Sequence, residues 1–231
     1  MRKLFCVIAL LFALATSVNA ELKGWQDPDC NPGGLHKIFI EPVKFNLNAG
    51  DNLMPPKKQQ VELASWAVDE SIKSLRKNRP VVKNYTDLLK DLTFIYSSLD
   101  SRNFHEVVKK SNETGYQAFI RIDIEQEFKY EHVPETTRTY TEYKDINEYD
   151  RNGKLIRTTR IPFEKTETVP AHDVKYLHTI CKSWLFNTDI KDRDHKAAAE
   201  YNLYREYQGG DVMKVVENAI RACVKKMLTG K

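Results

Sequence analysis

The side chains able to do chemistry are dispersed along this chain, so the first question is whether any spacing gathers them. The six histidines stand singly at His36, His105, His132, His172, His178 and His195, whereas a catalytic or metal centre needs several such groups converging on one point. Asp189, Asp192, Asp194 and His195 come nearest, offering carboxylate and imidazole ligands within one turn. That run lacks the glycine and the closing bidentate glutamate of a calcium loop, and Lys191 and Arg193 interrupt it, so it reads as a polar turn. Asp123, Glu125 and Glu127 form a second acidic series, spaced so that all three point to one side of a strand. Arg121 and Lys129 share that side, which makes it a charge-compensated, solvated face. A cysteine–histidine pair drawn from Cys181 and His172-Asp173 fails on local structure, because Cys181 lies mid-strand without the helix N-terminus that lowers a thiol's pKa. No nucleophile elbow, Walker loop, dinucleotide fingerprint or His-Glu-x-x-His pattern occurs. The expectation is no catalytic residue, no cofactor site and no metal site.

The elements that would position any site follow from periodicity. Residues 21–34, rich in Asp, Pro and Gly, read as an irregular lead-in. Leu35 to Val43 reads as a strand centred on Ile38, Phe39 and Ile40, an unbroken apolar run suited to burial on both faces. A loop over Asn46 to Pro56 leads to a helix carrying Val61, Ala64, Val68, Ile72 and Leu75. Val81-Val82 is a short strand. Thr86 is expected to cap a helix striped by Leu88, Leu89, Leu92, Ile95 and Leu99, and a further helical piece starts at Asp100 or Ser101. Ala118 to Tyr130 alternates Ala118, Ile120, Ile122, Ile124, Phe128 and Tyr130 with Phe119 and charged residues, the period of a strand with one face on the core.

Thr139 to Ile161 carries a hairpin signature around Asn152-Gly153, with arms of Thr, Tyr, Glu, Lys and Arg that have little to bury. We expect this hairpin to project beyond the core. Tyr140, Tyr143, Tyr149 and Ile156 stand out on it as candidate partner-binding residues, since aromatic side chains on a polar surface are what interface anchors are made of. Val174 to Phe186 and Lys196 to Tyr207 are two further strands. Asp211 caps a last helix, whose inward stripe is Val212, Val215, Val216, Ala219, Ile220, Cys223 and Met227. The fold class is therefore α/β, with a mixed, partly antiparallel sheet packed by amphipathic helices.

The ends and the composition set the compartment. Arg2 and Lys3 precede an apolar run from Leu4 to Ala15, and Val18-Asn19-Ala20 completes a secretory signal peptide over residues 1–20. The run falls short of the roughly 20 apolar residues of a membrane span, and no later stretch is long and apolar enough to span. The exported chain then begins near Glu21, in a periplasm or the medium, as a single domain over residues 35–229. The sequence holds 36 basic and 32 acidic residues, a formal charge of +4. Loss of Arg2 and Lys3 leaves +2, with the signs interspersed, so nothing in the charge favours nucleic acid. Of four cysteines, Cys6 lies in the leader. Cys223 sits on the apolar stripe of the last helix and reads as a reduced core residue. By elimination Cys30 and Cys181 are the disulfide to expect in an oxidising compartment.

The order of elements, with Asn84-Tyr85-Thr86-Asp87-Leu88-Leu89-Lys90 after a valine strand and Glu113-Thr114-Gly115-Tyr116-Gln117-Ala118-Phe119 entering the long strand, resembles the envelope domain family typified by the TolB amino-terminal domain and the curli-secretion lipoprotein CsgG. Trp184-Leu185-Phe186-Asn187-Thr188-Asp189 is similar to the late strand end and polar turn of such domains. The resemblance spans residues 36–228, lacks the lipidated cysteine of the lipoprotein members, and carries a longer hairpin. It implies a non-enzymatic cell-envelope protein that binds another envelope protein. Two other readings stay open: a secreted enzyme such as a hydrolase with an unrecognised site, and a small-ligand-binding protein with a pocket under the hairpin.

Overall fold

A computed structural model describes residues 19–49, 80–97, 103–189 and 195–230, together with residues 62, 63, 65, 66, 68, 69 and 73. The chain divides into two compact units, one formed by residues 1–129 with 175–231 and the other by residues 130–174.

The first unit is a mixed sheet with helices packed on it. Its strands are β1 (Asn19–Gln26), β2 (Lys37–Ile40), β3 (Lys44–Asn48), β4 (Val81–Asn84), β5 (Ala118–Val133), β8 (His172–Asn187) and β9 (His195–Glu206), in the order β1-β9-β8-β5-β2-β4, with β3 also pairing β5. β2 lies parallel to both β4 and β5, and β9 lies antiparallel to β1 and β8. Ile38, Phe39 and Ile40 are all buried, as expected of a strand with a neighbour on each side and packing on each face.

Two strands emerge where irregular chain was expected. β1 occupies the first part of the lead-in, because Ala20, Leu22, Gly24 and Gln26 alternate toward the last helix and pair with Leu203, Tyr201, Ala199 and Ala197. A Cβ on Gly24 would lie 2.7 Å from the Lys226 side chain, so the absent side chain makes room for that helix. Asn19 and Ala20 of this strand lie on the leader side of the expected cleavage point. β3 falls where a loop was expected from Asn46 onward. Phe45 and Leu47 point inward between Lys44, Asn46 and Asn48, and two apolar residues are too few to announce a strand. β2 and β3 share one edge of β5, at Ala118–Ile120 and Asp123–Glu127 respectively. Pro42, which has no N–H to donate, falls in the interruption. There Glu41 N donates to Ile120 O at 2.9 Å, and Arg121 Nε donates to Glu41 Oε2 at 2.6 Å.

Helices α1 (Tyr85–Ile95), α2 (Phe104–Glu113) and α3 (Val212–Thr229) complete the unit, and the described residues between 62 and 73 are also helical. The cap of α1 is Asn84 and not Thr86. Asn84 ends β4 in extended geometry, and its side chain accepts the Asp87 N–H at 2.9 Å while donating to Asp87 Oδ2 at 2.6 Å, a reciprocal capping arrangement. Leu88 and Leu92 are buried, while Ile95 of the expected stripe is 55% exposed. Asn103 caps α2; the expected start at Asp100 or Ser101 lies outside the described residues. After α2 the chain reverses through Gly115 at φ 87°, with the Tyr116 N–H returning to Ser111 O at 3.0 Å, the long-range bond of a Schellman motif. Asp211 caps α3 through the Met213 and Lys214 N–H groups, and Gly230 ends it in the left-handed conformation.

Two hydrophobic layers result. One gathers Ile120, Ile122, Ile124, Leu185, Ala197 and Ala199 of the sheet with Val216, Ile220 and Met227 of α3. The other gathers Phe39 and Phe119 with Leu88 and Leu92 of α1 and Val107 of α2. Phe39 stacks on Phe119, and Phe119 on Phe186, with centroids 5.4 and 5.0 Å apart. The sheet is thus helix-packed on both faces.

The second unit is built on a two-stranded antiparallel sheet, β6 (Thr136–Tyr149) with β7 (Leu155–Val169). Its arms extend past the expected Thr139 and Ile161. Pro162 is accommodated opposite Tyr143, since each strand of a two-stranded ribbon has an unpaired edge that needs no donor. In the turn, Asp150 Oδ1 accepts the Asn152 and Lys154 N–H groups at 2.8 Å, and Gly153 takes φ 78°.

Candidate functional site

The ribbon is built from residues that a sheet favours and a core does not. Threonine and aromatic residues fit a pleated surface, and the alternating charges pair across strands. Lys165 Nζ lies 3.2 Å from Glu142 Oε1, and this hydrogen bond holds the Lys165 ammonium above its ordinary pKa, with Tyr140 adding to the effect. On the other face Thr139 pairs with Thr166, and the Arg160 guanidinium lies 4.8 Å over the Tyr143 ring.

The register decides which candidate residues meet. Tyr140 lies on one face of the ribbon; Tyr143 and Tyr149 lie on the other, by strand alternation. The register slips after Glu148, which pairs with Arg157, while Tyr149 pairs with Leu155, so Ile156 sits in a bulge. All four are exposed, at 38%, 56%, 58% and 67% respectively, but they do not form one patch. The contiguous apolar stripe includes three residues that the sequence reading passed over. Glu142 faces Phe163, Lys144 faces Ile161, and Ile146 faces Thr159, so Tyr140, Phe163, Ile161 and Ile146 run diagonally along one face. Each of the last three is more than two-fifths exposed. The available signal was Ile161-Pro162-Phe163, which puts two large apolar residues on one face of a strand; its use required the register.

Two concave features of the first unit, among its described residues, are large enough to matter for binding. A cavity of about 460 Å³ is lined by Asp27, Cys30, Asn112, Gln117, Phe186 and Lys196, among others. None of its lining residues comes from the ribbon. Its polar groups hold the surrounding chain together. Gln117 Oε1 accepts the His36 N–H at 2.6 Å, Asn112 Nδ2 donates to Thr188 O at 3.2 Å, and Lys196 pairs with Asp27 at 3.5 Å. Burial, followed by the charge of Asp27, pushes the Cys30 thiol up, with Lys196 opposing; this is the reverse of nucleophile activation. A shallower groove of about 240 Å³ lies where Ala198 pairs with Trp25 on one side and Trp184 on the other.

Residues 190–194 lie outside the described residues, so the turn containing Asp192 and Asp194 does too. Among the described residues no group of three His, Cys, Asp or Glu side chains could hold a metal ion. In the acidic row Asp123 approaches Lys44 at 3.8 Å, and Glu127 approaches Lys129 at 3.2 Å and His178 at 3.4 Å. His172 is exposed, with Nδ1 3.1 Å from Pro170 O. The disulfide expected between Cys30 and Cys181 is not formed. All three thiols are free, Cys30 lines the cavity, and Cys181 is fully buried in the core with Cys223. Burial pushes the Cys181 thiol well up, and the adjacent Cys223 thiol adds to the shift.

No protein-family model and no curated protein matches the chain. Among solved structures it is similar to the PelC dodecamer from Paraburkholderia phytofirmans, at 7% identity and a TM-score of 0.42 over 91% of this chain and 99% of that one. It is also similar to a putative neuraminyllactose-binding hemagglutinin homolog from Helicobacter pylori, at 12% identity and a TM-score of 0.35 over 87% and 85% of the two chains. These are distant likenesses.

Proposed function

We propose that this chain is an exported, non-enzymatic cell-envelope protein that binds another envelope protein through the ribbon formed by β6 and β7. One observation carries the reading: Tyr140, Ile146, Ile161 and Phe163 lie along one ribbon face and stay exposed. Large apolar side chains held in register in water are an unspent source of binding energy, and a polar rim around aromatic anchors is the usual anatomy of an interface. The element order that resembles the TolB–CsgG family supports an envelope location, as does the leader over residues 1–20. No helix among the described residues is long and apolar enough to cross a membrane. Export is tested by intact mass: the secreted chain should begin at Glu21, and retention of residues 1–20 would overturn it.

Docking is tested with the double substitution Tyr140→Ser/Phe163→Ser. Both proteins are cross-linked in the native envelope fraction, and the captured proteins are identified. The parent should capture a defined envelope protein that the variant captures at least about tenfold less, the loss of two anchors worth more than about 1 kcal/mol. Equal capture by the two proteins would overturn the role of this face. A second reading, binding of a small polar ligand, is favoured by the cavity of about 460 Å³, a size typical of such sites. A compound that raises the thermal midpoint of the parent but not of Gln117→Leu would establish it.

A further inference from the structure

The two buried thiols of the core are placed for a reaction that neither proposed binding site uses. Cys181 lies on β8 and Cys223 on α3, 42 residues apart in sequence. Both are 0% exposed and belong to the same hydrophobic cluster. Cys223 Sγ lies 3.3 Å from the Cys181 carbonyl oxygen and 3.1 Å from the Ala199 carbonyl oxygen, with Ser183 Oγ at 3.2 Å. The sulfur of α3 is therefore pressed onto the backbone of the very strand residue whose thiol faces the helix. Burial and then Cys223 push the Cys181 thiol up, while Cys181 lowers the Cys223 thiol, so each side chain acts on the other. Cys30, by contrast, interacts with Asp27 and Lys196 at the cavity.

We propose that Cys181 and Cys223 form the native disulfide of the exported protein, cross-linking the last helix to the sheet, and that Cys30 remains a free thiol. The chemistry is thiol–disulfide exchange with an oxidising disulfide such as oxidised glutathione or a disulfide-bearing oxidase. One cysteine thiolate attacks the oxidant's S–S bond, releasing a first thiol and leaving a mixed disulfide. The second cysteine thiolate then attacks the protein sulfur of that mixed disulfide and releases a second thiol. The protein loses two electrons and two protons, which the oxidant's two sulfurs carry away as thiols. Because both cysteines are sealed in the folded core, the exchange belongs to folding, before α3 closes over β8. The bond then lies beyond the reach of reductants, as stable structural disulfides do.

The presence of the bond in the native protein rests on the export reading, so the test is arranged to work without it. The reduced, denatured chain is refolded in a mixture of reduced and oxidised glutathione, alkylated, and digested with trypsin without reduction. The expected map links the peptide 176–182 to the peptide 222–225 and shows peptide 24–37 alkylated at Cys30. Free Cys181 and Cys223, or a linked peptide containing Cys30, would overturn the proposal. Cys181→Ser and Cys223→Ser should each lower the thermal midpoint of the oxidised protein by roughly 5–15 °C, and the double variant should fall no further than about the larger single effect. Cys30→Ser should leave it unchanged. A refolded chain with the bond and a natively produced chain without it would sink export alone.

Discussion

β5 and β6 are strands of similar length, 16 and 14 residues, yet they hold their shape for different reasons. In β5, alternate residues from Ala118 to Gln126 are buried, and removing that apolar area from water is the driving force. In β6 only Glu142 is less than exposed, so its order rests on the ladder with β7, cross-strand pairs and the turn at Asp150. An isolated two-stranded ribbon is at best marginally stable in water. The proposed docking role rests on that uncovered apolar stripe. The sharpest way to break this contrast is at matched truncations. Phe39→Ala, which empties the centre of an aromatic cluster with neighbours 5.4–6.5 Å away, should cost about 3–5 kcal/mol in urea unfolding. Ile161→Ala on the ribbon should cost less than about 0.5 kcal/mol. Similar losses at the two sites would show that the ribbon is part of the core.

A smaller effect separates the two kinds of local anchor. Asn84 both ends β4 and caps α1, so Asn84→Ala leaves the Asp87 N–H without its acceptor and should cost about 1 kcal/mol. Asp150→Ala in the ribbon turn removes two comparable bonds, but should leave the global unfolding midpoint in place and instead speed amide exchange in Glu148 to Arg157. Slowed or unchanged exchange there would show that the turn does not hold the register.

Much of the first unit was legible because burial writes a period into the sequence. Ile120, Ile122 and Ile124 announce β5, and Val216, Ile220 and Met227 announce α3. What stayed hidden was whatever depends on a partner. β1 and β3 are ordered by β9 and β5 and show few apolar residues of their own. The Asn84 cap was missed because Asn84 is also the last residue of a strand. The ribbon stripe needed the pairing of Glu142 with Phe163, and the Cys181–Cys223 approach needed α3 laid on the sheet.

Acid titration sharpens the contrast at a single carboxylate of the α1 cap. Asp87 is held below the ordinary carboxylate pKa, first by its hydrogen bond from Lys90 and then by Asn84, against partial burial. A carboxyl whose folded pKa is depressed stabilises the fold above its unfolded pKa and loses that contribution as pH falls through the folded value. Asp87→Asn should therefore be less stable than the parent near neutral pH and converge on it as pH falls through the depressed folded value. The same gap at both pH values would mean that the side chain acts by shape alone. The group is exposed, so the effect is small.

The smallest expected effect on stability comes from the largest change in sequence. Replacing Thr139 to Ile161 by a short glycine-containing turn removes most of the exposed stripe while leaving β2, β4 and the three helices intact. The residues lost are almost all exposed, and positions of that kind each change stability by less than about 0.5 kcal/mol. Shortening the excursion also lowers the entropy of closing it, by about 0.6 kcal/mol per halving of length, which offsets part of the loss of ribbon pairing. The shortened protein should therefore stay monodisperse, with a thermal midpoint within about 3 °C of the parent, while its capture of the envelope partner disappears. Aggregation or a collapsed midpoint would place the ribbon in the folding unit. Unchanged capture would reduce it to a solvated edge, and the stripe of Tyr140, Ile146, Ile161 and Phe163 would then need another explanation.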